Sequence, residues 1–472
     1  MIYDHPLLER AYRASPVAVQ HLFVTGYGLL KVRERRSATF RRYVAELEAS
    51  QWWPRDRLAA LQAERLRALV RHCYETVPYY RRVFDERRLR PDDIREPADL
   101  YKLPVLTKQD VRAHREALRS RAVPDARVTT GRTGGTTGIP LHFALDKDRV
   151  TFDHALVHRH WGWAGWRPGE WVVLLRGFTL VPPGQRDGPL WRYDWLDRRI
   201  YLSGFHLAHE TMGRYVDQLR RWAPRFIAAY PSSIFTLARY MDTIDATIPV
   251  EAVFTGSESV SEVERRTIER RFGKVFDRYG TGERLVVSQQ CTEGSYHQNA
   301  EFGIVQVDRV RGEPAAAGES GELIHTGLTN YSMPLLRYAS EDVGYLRDDA
   351  CPCGRPLPLM GPVEGRKDDV IVTADGRLMP RAGLDQIHEF VERMERCQLV
   401  QREPGAVVIR VLPRPGFNAD DEAELARQLR KRVGETTRIT VEVVDDLPLT
   451  VTGKHRFIVS ELAPTAVAPP AG

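Results

Sequence analysis

Cysteine is scarce in this chain, five in 472 residues, too few for the disulfide framework that staples small secreted domains. Blocks of like charge are missing as well: 69 Lys and Arg are interspersed with 63 Asp and Glu, for a net charge of +6. That balance does not call for nucleic acid and welcomes an anionic substrate. Long apolar runs are absent too. The most apolar early window, residues 16–30, contains Gln20, His21, Gly26 and Gly28 and is too short and polar to span a bilayer. Residues 1–6 lack the basic-then-apolar order of a signal peptide. These absences predict a cytoplasmic protein with no transmembrane segment. A Walker A loop is also missing, because no Lys-Ser/Thr follows Gly138 in the chain's most glycine-rich stretch.

That stretch is Thr130-Gly131-Arg132-Thr133-Gly134-Gly135-Thr136-Thr137-Gly138-Ile139-Pro140. Glycine and threonine dominate it, so it is neither a helix interior nor a strand centre. The glycines permit φ > 0 and leave amides bare, and the hydroxyls of Thr133, Thr136 and Thr137 add donors that can converge on an anion. Taken alone, it fits a phosphate cradle and a solvated turn equally well. Its flanks, 126–129 and 141–145, read as short strands, which makes it a loop between strands.

The length exceeds what one core usually serves, so at least two domains are expected. Residues 1–125 read as mainly helical, with helices over 33–62 and 65–75, and with Trp52, Trp53, Tyr79 and Tyr80 anchoring helix ends in the core. Residues 140–260 alternate strands (171–175, 226–229, 250–255) with helices (210–222, 234–243), the second capped by Tyr230-Pro231-Ser232-Ser233. Helix 262–272 and strand 274–278 continue the alternation. This rhythm predicts an α/β fold with a layered parallel sheet, whose ligands sit beyond the carboxyl ends of the strands. Gly256-Ser257-Glu258 and Tyr279-Gly280-Thr281-Gly282-Glu283 fall at such ends. A β-rich part follows, with strands over 301–310, 319–326 and 335–338. From about Gly365 a smaller α+β unit is expected, with strands 369–373, 407–411 and 438–444 and helices 384–395 and 419–432. The predicted division is thus a large domain over 1–364, a small one over 365–463 and a disordered tail over 464–472.

Cys291, His297, Cys351 and Cys353 supply three thiolates and an imidazole, an accepted tetrahedral zinc set, although Cys-x-Cys is tighter than the common spacing. The alternative is buried reduced cysteines beside a surface histidine. Cys73 and Cys397 read as core residues, and His154, His158 and His160 as a packed helix face.

In order along nearly the whole chain, these signals resemble the motifs of the adenylate-forming superfamily, and more closely its phenylacetate–CoA ligase-like and capsule-biosynthesis branch. Residues 133–140 are similar to its phosphate loop, Gly256-Ser257-Glu258 to its adenine-contacting segment, and Tyr279-Gly280-Thr281-Gly282-Glu283 to its aromatic–Gly–Thr–x–Glu motif. Arg337-Tyr338-Ala339-Ser340-Glu341-Asp342 resembles the ribose-binding motif, and Gly365-Arg366-Lys367-Asp368 the inter-domain hinge. Leu447-Pro448-Leu449-Thr450-Val451-Thr452-Gly453-Lys454 resembles the tail motif with the catalytic lysine. Taken singly, Asp342 reads as a turn residue and Lys454 as a hairpin lysine, while Glu283 also fits a solvated helix-start acid. The shared order reverses that reading. The family's phosphate loop often carries lysine where this chain has Ile139.

The resemblance implies an AMP-forming ligase that uses ATP and Mg²⁺ to adenylate a carboxylic acid and then passes the acyl group to a thiol acceptor, coenzyme A foremost. Under it, Thr133, Gly134, Gly135, Thr136, Thr137, Gly138 and Thr281 hold phosphate oxygens, Gly256, Ser257 and Glu258 meet the base, and Tyr279 and Gly280 bind the nucleotide as well. Asp342, with Arg366 nearby, takes the ribose, Glu283 holds Mg²⁺, and Lys454 bridges the reacting anions. It also implies a mobile carboxy-terminal lid turning at Asp368, and a structural Zn²⁺ at Cys291, His297, Cys351 and Cys353. An aromatic acid suits such relatives, with Trp161, Trp163, Trp166, Phe178, Phe205, His206 and Tyr230 as pocket walls. Amine and sugar acceptors, and a silent nucleotide-binding protein, remain the alternatives.

Overall fold

A computed structural model describes residues 6–462 apart from 36, 133–140, 183–184, 186, 311, 367–369, 376, 381–383, 385–386, 388–389 and 451–452. The phosphate-loop residues Thr133, Gly134, Gly135, Thr136, Thr137 and Gly138, and the hinge residue Asp368, therefore lie outside the described residues. The α/β class is the one expected. Its residues gather into two compact units: Met1–Leu29, Gly169–Val275 and Glu364–Gly472 form one, and Leu30–Pro168 with Phe276–Val363 form the other.

The first unit is built on a six-stranded sheet in the order Trp191–Asp194, Arg199–Ser203, Val172–Arg176, Phe226–Ala229, Ala252–Phe254, Val275–Phe276. Val172–Arg176 pairs in parallel with Arg199–Ser203 on one side and Phe226–Ala229 on the other, and the latter pairs in parallel with Ala252–Phe254. The central strands Phe226–Ala229 and Ala252–Phe254 are short, continuous apolar runs with every residue buried. That is how strands covered on both faces read in sequence. Helices His209–Trp222, Pro231–Thr243 and Glu262–Arg271 lie between them in the chain. Met212, Tyr215, Ile234, Leu237 and Ile268 share one core with Val173 and Ile227. The same unit holds a four-stranded sheet, Arg438–Val443, Ala406–Pro413, Met394–Glu403, Ile458–Ser460. The helix Ala419–Val433 buries Leu425, Leu429 and Val433 in that sheet's core.

The second unit joins helices Ala38–Ser50, Arg55–Thr76, Pro78–Glu86 and Lys147–Trp163 to antiparallel strands. Gly303–Val310 pairs with Gly321–Gly327, which pairs with Tyr338–Gly344. Val287–Gln290 lies between Arg278–Gly280 and Tyr296–Gln298. The two flanking strands are present, as Val128–Arg132 and His142–Asp146, and they pair antiparallel; the first takes in Thr130, Gly131 and Arg132, which corrects the expectation that no strand runs through the Gly/Thr stretch.

Several local expectations need correction. The helix expected over 33–62 is broken: Ala38–Ser50 ends at Gln51, and Arg55–Thr76 starts after Pro54. Proline drives the residue before it out of the helical region. Trp52 is 53 % exposed instead of anchoring the core, and the Arg355 guanidinium lies 4.9 Å from its ring centre. Tyr230 is the N-cap of Pro231–Thr243 with Pro231 in the first turn, so the two serines sit inside the helix. The helix expected over 384–395 does not reach its end, because a strand already runs from Met394. The strand expected over 335–338 starts only at Tyr338, since Arg337 takes φ +50°.

Candidate active site

Within the first unit, Lys454 meets the segment expected to contact adenine. Gly453 N–H donates to the Thr450 carbonyl at 2.8 Å, and Lys454 N–H to the Thr450 hydroxyl at 3.0 Å. Only glycine fits at 453. Its φ is +77°, and a Cβ there would come within 2.7 Å of the Gly177 backbone and 3.2 Å of the Phe205 ring. The Lys454 ammonium donates to the Ser257 carbonyl at 2.6 Å, with Tyr230's ring centre 5.6 Å away. Ser257 holds φ +73°, a strained value for serine of the kind that clusters at functional sites. Glu258 is fixed by the Ser232 amide at 3.0 Å and hydroxyl at 3.1 Å, so the helix start at Pro231 positions the segment. Gly256, at the carboxyl end of the parallel strand Ala252–Phe254, is buried.

The second unit assembles the other half of the expected set. Tyr279 donates its hydroxyl to Asp342 Oδ2 at 2.7 Å, and Tyr338 donates its own to Glu283 Oε1 at 2.6 Å. Both carboxylates are nearly buried, Asp342 at 6 % and Glu283 at 5 % exposure. Burying a carboxylate without donors is costly, and here each has a phenol. Arg284 N–H closes the turn onto the Thr281 carbonyl at 3.0 Å, after Gly280 at the end of its strand. The Thr281 hydroxyl is buried and has no partner among the described residues. Arg366 lies in a short strand with Gly365.

A residue that the sequence did not single out joins this group. His325, in mid-strand, places Nε2 3.3 Å from the Tyr279 hydroxyl oxygen. Tyr279 spends its one proton on Asp342, so Nε2 carries the hydrogen and donates to the phenol oxygen. Burial pushes the imidazole down to about 3, which keeps it neutral. A lone histidine in an apolar strand carries no motif, and its partner lies 46 residues away.

The four cysteine and histidine ligand atoms also converge. Those of Cys291, His297, Cys351 and Cys353 all lie within 4.8 Å of one another. Cys291 Sγ is 3.6 Å from Cys351 Sγ, and Cys353 Sγ is 3.3 Å from His297 Nε2. A disulfide needs about 2.05 Å. The edges of a tetrahedron with Zn–S near 2.3 Å and Zn–N near 2.1 Å are about 3.8 and 3.6 Å. Both thiol-bearing loops are turns ending on glycine: Gly294 N–H donates to the Cys291 carbonyl at 3.0 Å and Gly354 N–H to that of Cys351 at 3.1 Å. Burial first, then the Arg355 charge, lowers His297 to about 4, leaving a neutral imidazole able to ligate. Trp163, expected as a pocket wall, instead packs here, its ring centre 5.7 Å from that of His297. Cys73 and Cys397 are buried in cores, as expected. His154 pairs with Glu34 and His160 with the Gln290 carbonyl.

Among the described residues no helix is long and apolar enough to cross a membrane.

Residues 371–461 match the family model of the CapK C-terminal domain. Over 460 residues the chain is 30 % identical to phenylacetate–coenzyme A ligase of Thermus thermophilus, an alignment covering 88 % of this chain and 98 % of that one. It is 23 % identical to protein CapK of Staphylococcus aureus, over 97 % of this chain and all of that one. The fold is shared with 2-hydroxyisobutyryl-CoA ligase, solved in the postadenylation state with R3-HIB-AMP, at a TM-score of 0.68, 19 % identity, 87 % of this chain and 91 % of that one. The ordered motifs, the paired carboxylates and the alignment along almost the whole Thermus enzyme agree: the chain belongs to the phenylacetate–CoA ligase family of adenylate-forming enzymes.

Proposed function

We propose that this protein is an ATP-dependent, AMP-forming ligase that adenylates a carboxylic acid, aromatic by analogy with its ligase relatives, and transfers the acyl group to coenzyme A. The observation that carries this reading is the Lys454 ammonium seated 2.6 Å from the Ser257 carbonyl, in the very segment that the family uses to meet adenine.

In the first half-reaction a carboxylate oxygen attacks the α-phosphorus of ATP, the bond from that phosphorus to the bridging oxygen breaks, and pyrophosphate leaves. Lys454 places one positive charge where the two anions meet. Asp342, oriented by Tyr279 and His325, accepts from the ribose hydroxyls. The Glu283 carboxylate is a hard oxygen ligand suited to Mg²⁺, which when bound neutralises charge on the phosphates. In the second half-reaction the coenzyme A sulfur attacks the acyl carbonyl, its proton is lost to solvent, and AMP departs. For that step the residues beyond Asp368 turn as a lid that withdraws Lys454. The Cys291, His297, Cys351, Cys353 set fits a structural Zn²⁺ with all four positions filled by protein, so no position is left for catalysis.

The test is pyrophosphate release across aryl, fatty and amino acids, with and without coenzyme A. Release with an acid and thioester formation only when the thiol is added is the expected outcome. No release with any acid class sinks the ligase reading. Release without thioester formation, with hydroxylamine trapping an acyl-adenylate, moves the acceptor to another nucleophile, as the CapK similarity allows.

A further inference from the structure

Residues 103–108 of the second unit take no part in the chemistry proposed above, yet they are built onto the strand that carries Asp342. Leu106 bridges in parallel to Tyr338: its N–H donates to the Arg337 carbonyl at 2.9 Å, and its carbonyl accepts from the Ala339 N–H at 2.9 Å. Leu103 and Leu106 are buried in one core with Tyr338. The Arg337 guanidinium, almost fully buried, ties one end of the segment, donating to the Leu103 carbonyl at 2.9 Å and to Asp308. At the other end Thr107 caps the helix Lys108–Ala113, its hydroxyl accepting from the Asp110 amide at 3.1 Å. Lys108 thus starts from fixed backbone, and its ammonium pairs with the Glu341 carboxylate.

Glu341 sits where the strand departs from regular pairing. Ala339 faces Ile324 and Val343 faces Glu322, so Ser340, Glu341 and Asp342 stand opposite Leu323 alone. Extra residues in one strand make a bulge, and bulges beside active sites re-aim side chains. Ser340 closes this one, donating its hydroxyl to the Leu323 carbonyl at 2.8 Å and accepting from the Asp342 N–H at 3.2 Å. Glu341 takes φ +67°, a left-handed value that costs free energy for a glutamate and none for a glycine. Such a conformation persists only where the surroundings hold it. The pair with Lys108 is such a hold. Its two side chains are 16 % and 32 % exposed, so water and salt screen it incompletely.

We propose that Lys108 is a positioning residue for the nucleotide: by pairing with Glu341 it holds the bulge that aims the Asp342 carboxylate at the ribose hydroxyls. This rests on the ATP-dependent reading above. In this role the lysine acts through the backbone at 341 and not through its charge on the phosphates. A glycine at 341 takes the same φ unaided, so in its presence the lysine has nothing left to hold.

Calorimetric titration of the full chain with ATP and with dideoxy-ATP, which lacks both ribose hydroxyls, separates the outcomes. Lys108→Met is expected to weaken ATP about fivefold or more and dideoxy-ATP less than about twofold. Lys108→Arg, which keeps the charge, should recover part of the loss. In the Glu341→Gly background Lys108→Met is expected to shift ATP affinity less than about twofold. That background leaves no carboxylate at 341 unpaired, so it keeps the comparison valid if Lys108→Met alone melts early. ATP affinity left intact in Lys108→Met overturns the proposal. So does an equal loss for both nucleotides, or the same loss in the Glu341→Gly background. A wild-type chain that binds both nucleotides alike overturns it by removing the ribose role of Asp342, and one that binds no ATP removes the ligase reading beneath it.

Discussion

The Lys454 ammonium rests on the Ser257 carbonyl, and in the proposed reaction its removal takes a positive charge from the reaction centre. Lys454→Ala is expected to slow acyl-adenylate formation about 100-fold or more while nucleotide affinity stays within a few-fold. Unchanged pyrophosphate release removes the lysine from the mechanism. His325 acts through Tyr279 on Asp342, as a positioning residue. His325→Ala should raise KM for ATP about five- to tenfold with kcat little changed, and His325→Gln, which restores an N–H, should recover part of it. A kcat loss at constant KM contradicts that role. A third expectation concerns pH. His160 and His325 are buried and pushed down to about 3, so both are neutral in the fold. Once unfolded, each takes a proton near pH 6.5. As pH falls below 6.5 the unfolded chain binds protons that the folded one refuses, and stability drops by roughly 1 kcal/mol per pH unit for each histidine until about pH 3. Urea midpoints at pH 7.5, 6 and 5 should fall in that order; a flat series removes the argument. Lys454, Glu283 and Asp342 were legible because each sits in a motif of several residues. His325 was not, because it is a lone histidine in a strand and its partner Tyr279 lies 46 residues away.

Elements were legible where one physical cause ruled. Phe226–Ala229 reads as a strand because a four-residue apolar run flanked by breakers suits a sheet covered on both faces. Ala419–Val433 reads as a helix because three acids occupy its first turn and three bases its last, with Gly434 after it. The break at Gln51–Pro54 was missed because helical spacing of apolar residues continues across it, and one proline overrides that spacing. The cysteine cluster depends on two such local turns, the glycine-closed loops at 291–294 and 351–354, which bring distant parts of the second unit together. Zinc analysis of the purified protein should find one equivalent per chain. Stripping it with a chelator, or Cys353→Ser, should lower Tm by several degrees, because binding energy at a structural site is folding energy. ATP binding by the surviving folded fraction should stay near wild type. A metal-free chain with an unchanged Tm assigns these thiols to the core instead.

At the scale of the whole molecule, the two compact units are discontinuous in sequence, each assembled from separated segments. Length alone argued for at least two domains, but not for this interleaving, since contacts between residues hundreds of positions apart leave no local signal. Lys454 and Ser257 belong to the first unit, and Tyr279, Glu283 and Asp342 to the second. In the proposed two-step reaction, the cation that helps to form the adenylate has to clear the path of the thiol that consumes it. If the segment around Asp368 is the pivot, a substitution that stiffens it should separate the two half-reactions. Asp368→Pro fixes φ near −65° at that position. It is expected to leave ATP–pyrophosphate exchange within a few-fold of wild type and to slow thioester formation about tenfold or more, so that acyl-adenylate accumulates. Equal loss in both half-reactions would mean that the variant disturbs the site instead of the pivot, and no loss in either would place the turning point elsewhere in the chain.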